Sequence, residues 1–321
     1  MKVYTNLDAL EIKTPTACGM GNFDGVHTGH QRLIRELVTR AKKEGLESFI
    51  VTFEPHPLKI LSPKSAPPLI TSLEQKMKLI ESFGVKNILL IPFTKKFSDT
   101  SYEEFIDRIL IEKLKTKFVV VGYNFQFGSG GKGTAEKLKA IGLKKGFETL
   151  IVPPVTVEGK TVSSTLVRDL IEKGKMKEAE KLLGRPFSIR GKVVKGQAIG
   201  RKLGFPTANV SLSPQIVKPA FGVYAVMVSR NDRLYPGVAN IGCKPTFAKG
   251  GSTGNVTLEV HIFNLNNEIY GEVLEVYFVE MIRGEKAFEN VESLAMQVKM
   301  DMEKARSILD VYSCNQKICM L

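Results

Sequence analysis

Tryptophan is absent from the 321 residues, and cysteine and histidine occur only four times each. No stretch approaches the roughly 20 consecutive apolar residues of a membrane helix, and the N-terminus lacks the apolar centre of a signal peptide. The expected setting is the cytoplasm, with no membrane partner. Cys18, Cys243, Cys314 and Cys319 are scattered without a Cys-x-x-Cys spacing, which argues for free thiols in a reducing compartment rather than a zinc centre or disulfides. Acidic side chains are the minority charge, 33 against 46 basic ones, for a net charge of +13. The excess is spread over both halves without a basic tail. That distribution suits anionic small molecules and argues against a nucleic-acid partner. No feature specifies an oligomeric state.

What is present has two regimes. Strand-like apolar runs near 16–21, 48–53, 87–93, 117–122 and 148–152 alternate with helical patterns near 29–44, 73–83, 101–115 and 134–146. This alternation predicts a parallel sheet flanked by helices, with ligands beyond the carboxyl ends of its strands. Two short helices are expected at 164–173 and 176–183, ending at Gly184-Arg185-Pro186. Short β runs at 188–195, 221–229, 234–241, 256–263 and 272–280 then suggest a small antiparallel barrel or sandwich, closed by a helix near 290–310. The expected division is 1–184, 185–311 and a tail at 312–321.

Two of the four histidines, His27 and His30, fall in Gly21-Asn22-Phe23-Asp24-Gly25-Val26-His27-Thr28-Gly29-His30, where the first strand hands over to a helix. Free N–H groups, the helix dipole and the small residues Gly21, Gly25 and Gly29 make such a turn an anion site. Two imidazoles there could stabilise charge on a nucleotide phosphate, with Phe23 and Asp24 in the same turn; the plainer alternative is histidines capping a helix. Pro55, His56 and Pro57 make a rigid turn after the second strand, either a ligand contact or an exposed bend. Asn124, Phe125 and Phe127 offer an amide and rings for a flat heterocycle, or simply core packing. Gly128–Gly133 satisfies Gly-x-Gly-x-x-Gly formally but does not open the first strand–helix unit, and Lys132 precedes Gly133 rather than a P-loop Ser or Thr. Ser164, Thr165 and Arg168 open a helix, as caps or as a phosphate clamp.

In the second half, Gly196 and Gly200-Arg201-Lys202-Leu203-Gly204-Phe205-Pro206-Thr207-Ala208-Asn209 permit close backbone approach to phosphate, and Thr207 and Asn209 supply hard oxygen ligands suited to Mg²⁺; a glycine-rich turn is the alternative. Glu259 alternates with Leu258 and Val260 in a strand, sharing a face with His261. It is either a proton acceptor or a solvated outer-face side chain.

Together these motifs resemble the bacterial bifunctional riboflavin kinase/FAD synthetase family. Gly-x-Phe-Asp-Gly-x-His-x-Gly-His, Glu-Pro-His-Pro, Gly-x-Asn-Phe-x-Phe-Gly and Ser-Ser-Thr-x-x-Arg carry the likeness upstream. Gly-Arg-x-x-Gly-Phe-Pro-Thr-Ala-Asn, Asn240-Ile241-Gly242, Pro245-Thr246-Phe247, Glu259-Val260-His261 and Arg283-x-Glu285-x-x-Phe288 carry it downstream. The resemblance implies a Rossmann-like nucleotidylyltransferase domain joining FMN to ATP, then a six-stranded β-barrel phosphorylating riboflavin. It assigns His27, His30, Ser164, Thr165 and Arg168 to the ATP phosphates, Asn124 to the nucleotide and Pro55–Pro57 to the flavin border. In the barrel it assigns Mg²⁺-ATP to Thr207 and Asn209, with Gly196, Gly200 and Lys202 nearby. Glu259 becomes the base, and Arg283 and Glu285 flank the flavin. FMN and FAD are then product or substrate. Lys244 departs from the family's usual arginine. A kinase with a degenerate first domain is the nearest alternative.

Overall fold

The run Thr16–Met20 (β2) is buried along its whole length, as an internal strand of a parallel sheet covered on both faces must be. It pairs in parallel with Glu47–Glu54 (β3) on one side and Thr116–Gly122 (β5) on the other. Asn87–Pro92 (β4), the edge strand Lys2–Tyr4 (β1) and Glu148–Val152 (β8) complete a six-stranded parallel sheet of order β1-β4-β3-β2-β5-β8. The short hairpin strands Gln126–Phe127 (β6), Gly133–Thr134 (β7), Thr156–Val157 (β9) and Lys160–Thr161 (β10) stand outside that sheet.

Alternate residues of each strand face opposite layers. Ala17, Ile50, Ile88, Phe118 and Val120 pack with Thr28–Glu44 (α1) and, after the short Pro57–Leu61 (α2), with Leu73–Ser82 (α3). Cys18, Met20, Phe49, Leu89 and Val121 pack with Phe105, Ile109 and Leu138 on the other face. Those residues come from the segment expected as a helix at 101–115 and from the helix Ala135–Lys145. The former begins as a helical turn, Tyr102–Glu104, and continues as a π-helix over Phe105–Lys113. The expected doubly wound architecture is observed. The three-residue edge strand β1 was not anticipated.

The second regime forms a closed antiparallel barrel. Its strands are Phe187–Val194 (β11), Ala208–Val210 (β12), Gly222–Arg230 (β13), Arg233–Lys244 (β14), Asn255–Ile262 (β15) and Val273–Gly284 (β16), in the order β11-β12-β15-β14-β13-β16. Five strands match the expected runs; β12, only three residues long, is the sixth. Tyr224 and Phe187 both pack their rings on Phe278, while Val223, Ala225 and Met227 cover Ala305 and Leu309 of the C-terminal helix Val291–Asn315. That helix runs five residues beyond the expected 310 and so absorbs the start of the expected tail.

The structure, a computed structural model, describes residues 1–196, 204–244, 255–265 and 267–315. The chain divides into two compact units, one of Met1–Pro67 with Leu73–Ser163, the other of Pro68–Ser72 with the chain from Ser164 onward. The helices Ser164–Glu172 and Met176–Leu183 therefore group with the barrel, whereas the division was expected after 184. Within the second unit Tyr312 donates to Glu180 at 2.8 Å and Lys177 pairs with Glu280 at 2.6 Å.

Candidate active sites

A doubly wound sheet opens a crevice where neighbouring strands send the chain to opposite faces, beyond their carboxyl ends. Here those strands are β2, followed by Gly21–His30 and α1, and β5, followed by the stretch from Gly122 to Gly133. The first turn is unusual. Phe23 (φ 51°), Gly25 (φ 79°) and Val26 (φ 41°) are all left-handed, a conformation that is rare for a β-branched residue. Phe23 and Val26 are fully buried, so core packing holds the strained backbone in place. Gln31 Nε2 donates to Val26 O at 3.0 Å, and Thr52 Oγ1 donates to Asn22 O at 3.3 Å.

His27 is buried and its Nδ1 accepts the His30 N–H at 3.3 Å, capping α1. The two rings stack at 3.7 Å and 15°, and Phe23 lies 5.2 Å from His30. A side chain at Gly29 would crowd the His27 ring at 3.1 Å. The capping reading of the motif thus holds for His27, which closes the first turn of α1. His30 Nδ1 is buried without a hydrogen-bond partner. Burial, then the His27 and Lys76 charges, push the His30 imidazole well below its ordinary pKa. Gly21 is half-buried and Asp24 buried within the turn.

Pro55, His56 and Pro57 are half-buried at the end of β3, and His56 Nδ1 accepts the Leu58 N–H at 3.3 Å. Asn124 is exposed beyond β5. The two phenylalanines part ways. Phe127 is buried against Phe105 at 5.5 Å, and half-buried Phe125 stacks on it at 5.4 Å at the margin of the same core. Ser164, Thr165 and Arg168 belong to the second unit, where the buried Arg168 donates from Nε to Pro68 O at 2.7 Å. One edge of its guanidinium is therefore committed to a backbone carbonyl.

In the barrel, Leu258, Val260 and Ile262 are buried and Glu259 and His261 take the opposite, outward face, half-buried. Strand register gives that face its meaning. Asn209 pairs with Glu259, Glu259 with Asn240, Asn240 with Val223, and Val223 with Arg283. One transverse row across five strands thus gathers Asn209, Glu259, Asn240 and Arg283. A Cβ on Gly196 would collide with the Asn209 amide, so only glycine admits that packing. Gly196, Asn209 and Thr257 line a cleft of about 500 Å³ with Val194, Val210 and Leu258. His261 Nδ1–H donates to Pro206 O at 2.8 Å and ties the segment bearing Thr207 to the strand bearing Glu259.

Arg283 is not free for a ligand in the way expected. Its Nε and Nη2 donate to both oxygens of the buried Asp301 at 2.8–3.1 Å, and Gln297 holds the same carboxylate at 3.0 Å. Its guanidinium also lies 5.6 Å from the Phe288 ring. This clamp fixes the end of β16, from which exposed Glu285 reaches back toward Gly242 and Asn240. Gly200 and Lys202 lie outside the described residues, as do Pro245, Thr246 and Phe247.

Sequence reasoning passed over Lys76 and gave Asn240 no role. Lys76 stands three and four residues before the core residues Leu79 and Ile80, a spacing that puts it on the inward face of α3.

Comparison with known proteins matches the two halves of the chain to two different families. The FAD synthetase family matches residues 9–166 and the riboflavin kinase family residues 183–309. A bifunctional riboflavin kinase/FMN adenylyltransferase of Buchnera aphidicola is 40% identical over 306 residues, covering 94% of this chain and 97% of its own length. The protein of the same name from Escherichia coli K12 is 38% identical over 309 residues, covering 95% and 97%. A crystal structure called a macrolide-efflux protein, from Streptococcus pneumoniae, superposes with a TM-score of 0.86 at 36% identity, covering 95% of this chain and 98% of that one. Likeness of this extent, over both units and both sets of motifs, places the chain in the bifunctional riboflavin kinase/FMN adenylyltransferase family.

Proposed function

We propose that the barrel phosphorylates riboflavin to FMN and that the parallel-sheet unit adenylylates FMN to FAD, each with ATP. The observation that carries the reading is that each unit bears its own built polar site: stacked imidazoles at the crevice of one, the Asn209–Glu259–Asn240 row on the other.

In the kinase step the Glu259 carboxylate takes the proton of the ribityl 5′-hydroxyl. The resulting oxygen attacks the γ-phosphorus, and the bond to the β-bridging oxygen breaks to release ADP. Asn209 in β12 and Thr207 just before it offer oxygen atoms two residues apart. These hard donors fit Mg²⁺, which supplies neutralisation of phosphate charge when bound. Among the described residues no group of three or more His, Cys, Asp and Glu gathers. Asn240 and Glu285 border the acceptor side. In the adenylyl transfer the FMN phosphate oxygen attacks the α-phosphorus of ATP and pyrophosphate leaves. His30, His27 and the first N–H groups of α1 stabilise the charge that builds.

His56 and Phe125 remain our candidates for the flavin border. Ser164, Thr165 and Arg168 keep their assignment to the ATP phosphates on the strength of the family motif alone. On this reading residues 1–184 carry the adenylyltransferase part and 185–311 the kinase part, in line with the family matches at 9–166 and 183–309. The free Cys18, Cys243 and Cys314 suit the cytoplasm, where both substrates and ATP meet. No helix among the described residues is long and apolar enough to cross a membrane. The name of the pneumococcal structure speaks of efflux, but the side chains that make both sites here are those of phosphate transfer.

The test is a time course with riboflavin, ATP and Mg²⁺, separating the flavins by chromatography. FMN should rise first and FAD follow, with one pyrophosphate released per FAD. FMN accumulating without FAD or pyrophosphate would reduce the protein to a kinase.

A further inference from the structure

Lys76 is buried at 8% exposure, yet its Nζ has a single long hydrogen bond, 3.5 Å to Asn22 O. A buried ammonium held that weakly is costly. Burial lowers its pKa, and the charges of Glu54 and Asp24 only partly offset the effect. The carbonyl it touches belongs to the strained turn, and its charge is felt at His30, whose Nδ1 also lacks a partner. Two buried nitrogens thus lie by the turn that follows β2, one with a single long hydrogen bond and the other with no partner. Oxygen atoms carrying negative charge are what this corner is built to receive.

We propose that the Lys76 ammonium contacts the triphosphate of ATP during adenylyl transfer, a further phosphate-binding side chain beside His27 and His30. The proposal rests on the adenylyltransferase reading above. In this role the amine trades its strained link to Asn22 O for phosphate oxygens and neutralises charge moving onto the departing pyrophosphate. The rival is a brace: Lys76 merely holds Asn22 and balances Asp24 and Glu54.

The full-length protein is assayed as the parent and as Lys76→Met, Lys76→Gln and Lys76→Arg, with FAD formation from FMN and FMN formation from riboflavin measured separately. Inhibition of FAD formation by adenosine and by inorganic tripolyphosphate is compared. Methionine and glutamine should each cut kcat/KM for ATP in FAD formation by about 10²-fold, leave FMN formation within twofold, and abolish tripolyphosphate inhibition while sparing that by adenosine. Arginine, which keeps the charge, should restore activity to within about tenfold of the parent. Activity within threefold for methionine or glutamine would overturn the proposal. So would equal loss of adenosine and tripolyphosphate inhibition, arginine faring no better than glutamine, or unfolding of both neutral variants. A parent making no FAD at all would instead sink the underlying reading.

Discussion

At the scale of single residues, each candidate site turns on one side chain. Glu259 sits half-buried on an outward face, flanked in register by Asn209 and Asn240, where a carboxylate oxygen can accept a proton. Glu259→Gln keeps the shape and removes the base, so FMN formation should fall about 10²–10⁴-fold, with FAD formation from supplied FMN unchanged. A kinase rate within threefold of the parent would take the role from it. His30 is held neutral by burial and by neighbouring positive charge. Its folded pKa lies below the unfolded value, so the folded state binds fewer protons in between. Its stability contribution is then fully present above about pH 6.5 and lost as pH falls through the window below it. Thermal melting of the ligand-free protein between about pH 7 and 5 should drop less steeply for His30→Gln than for the parent. Parallel curves would show that His30 does not titrate there. The Cys18 thiol, pushed up to about 11 by burial, is packing rather than chemistry.

At the scale of elements, register turns scattered letters into a site. Asn209, Glu259, Asn240 and Arg283 are 74 positions apart from first to last, yet antiparallel pairing sets them in one row. Periodicity in the sequence separates Leu258 from Glu259 but does not say which face is inside; closure of the barrel decides that. The short strand β12 has no periodicity to read and supplies Asn209 all the same. Lys76 was passed over because lysine in an amphipathic helix reads as a solvated side chain, although its spacing from Leu79 and Ile80 put it on the buried face. The phenylalanines of the Asn-Phe-x-Phe segment follow strand logic: one turns into the core and its neighbour two residues away stacks on it. Close approach can be tested at this scale. Gly196→Ala pushes the Asn209 amide aside and should lower FMN formation at least about tenfold through a higher Mg²⁺-ATP requirement, with the adenylyl transfer intact. An unchanged magnesium titration would show that Asn209 has no part in holding the metal–nucleotide.

At the scale of the whole molecule, the change from strand–helix alternation to short β runs announced two folds, and two folds are present. The sequence-based boundary at 184 followed the Gly-Arg-Pro stop, whereas packing assigns the helices from Ser164 to the barrel unit; helix capping signals mark ends of elements, not which core they join. Strand order, reversing between β2 and β5, was implied by the alternation but not written in any residue. On the proposed function, the molecule's two reactions depend on separate sets of side chains. Mixing two single variants tests this directly: His30→Ala, disabled in adenylyl transfer, with Glu259→Gln, disabled in phosphorylation, supplied with riboflavin, ATP and Mg²⁺. Each alone should yield no FAD from riboflavin, His30→Ala stopping at FMN and Glu259→Gln at riboflavin, and the mixture should produce FAD. If either substitution abolished both reactions, or the mixture stayed without FAD, the two sites would not be independent.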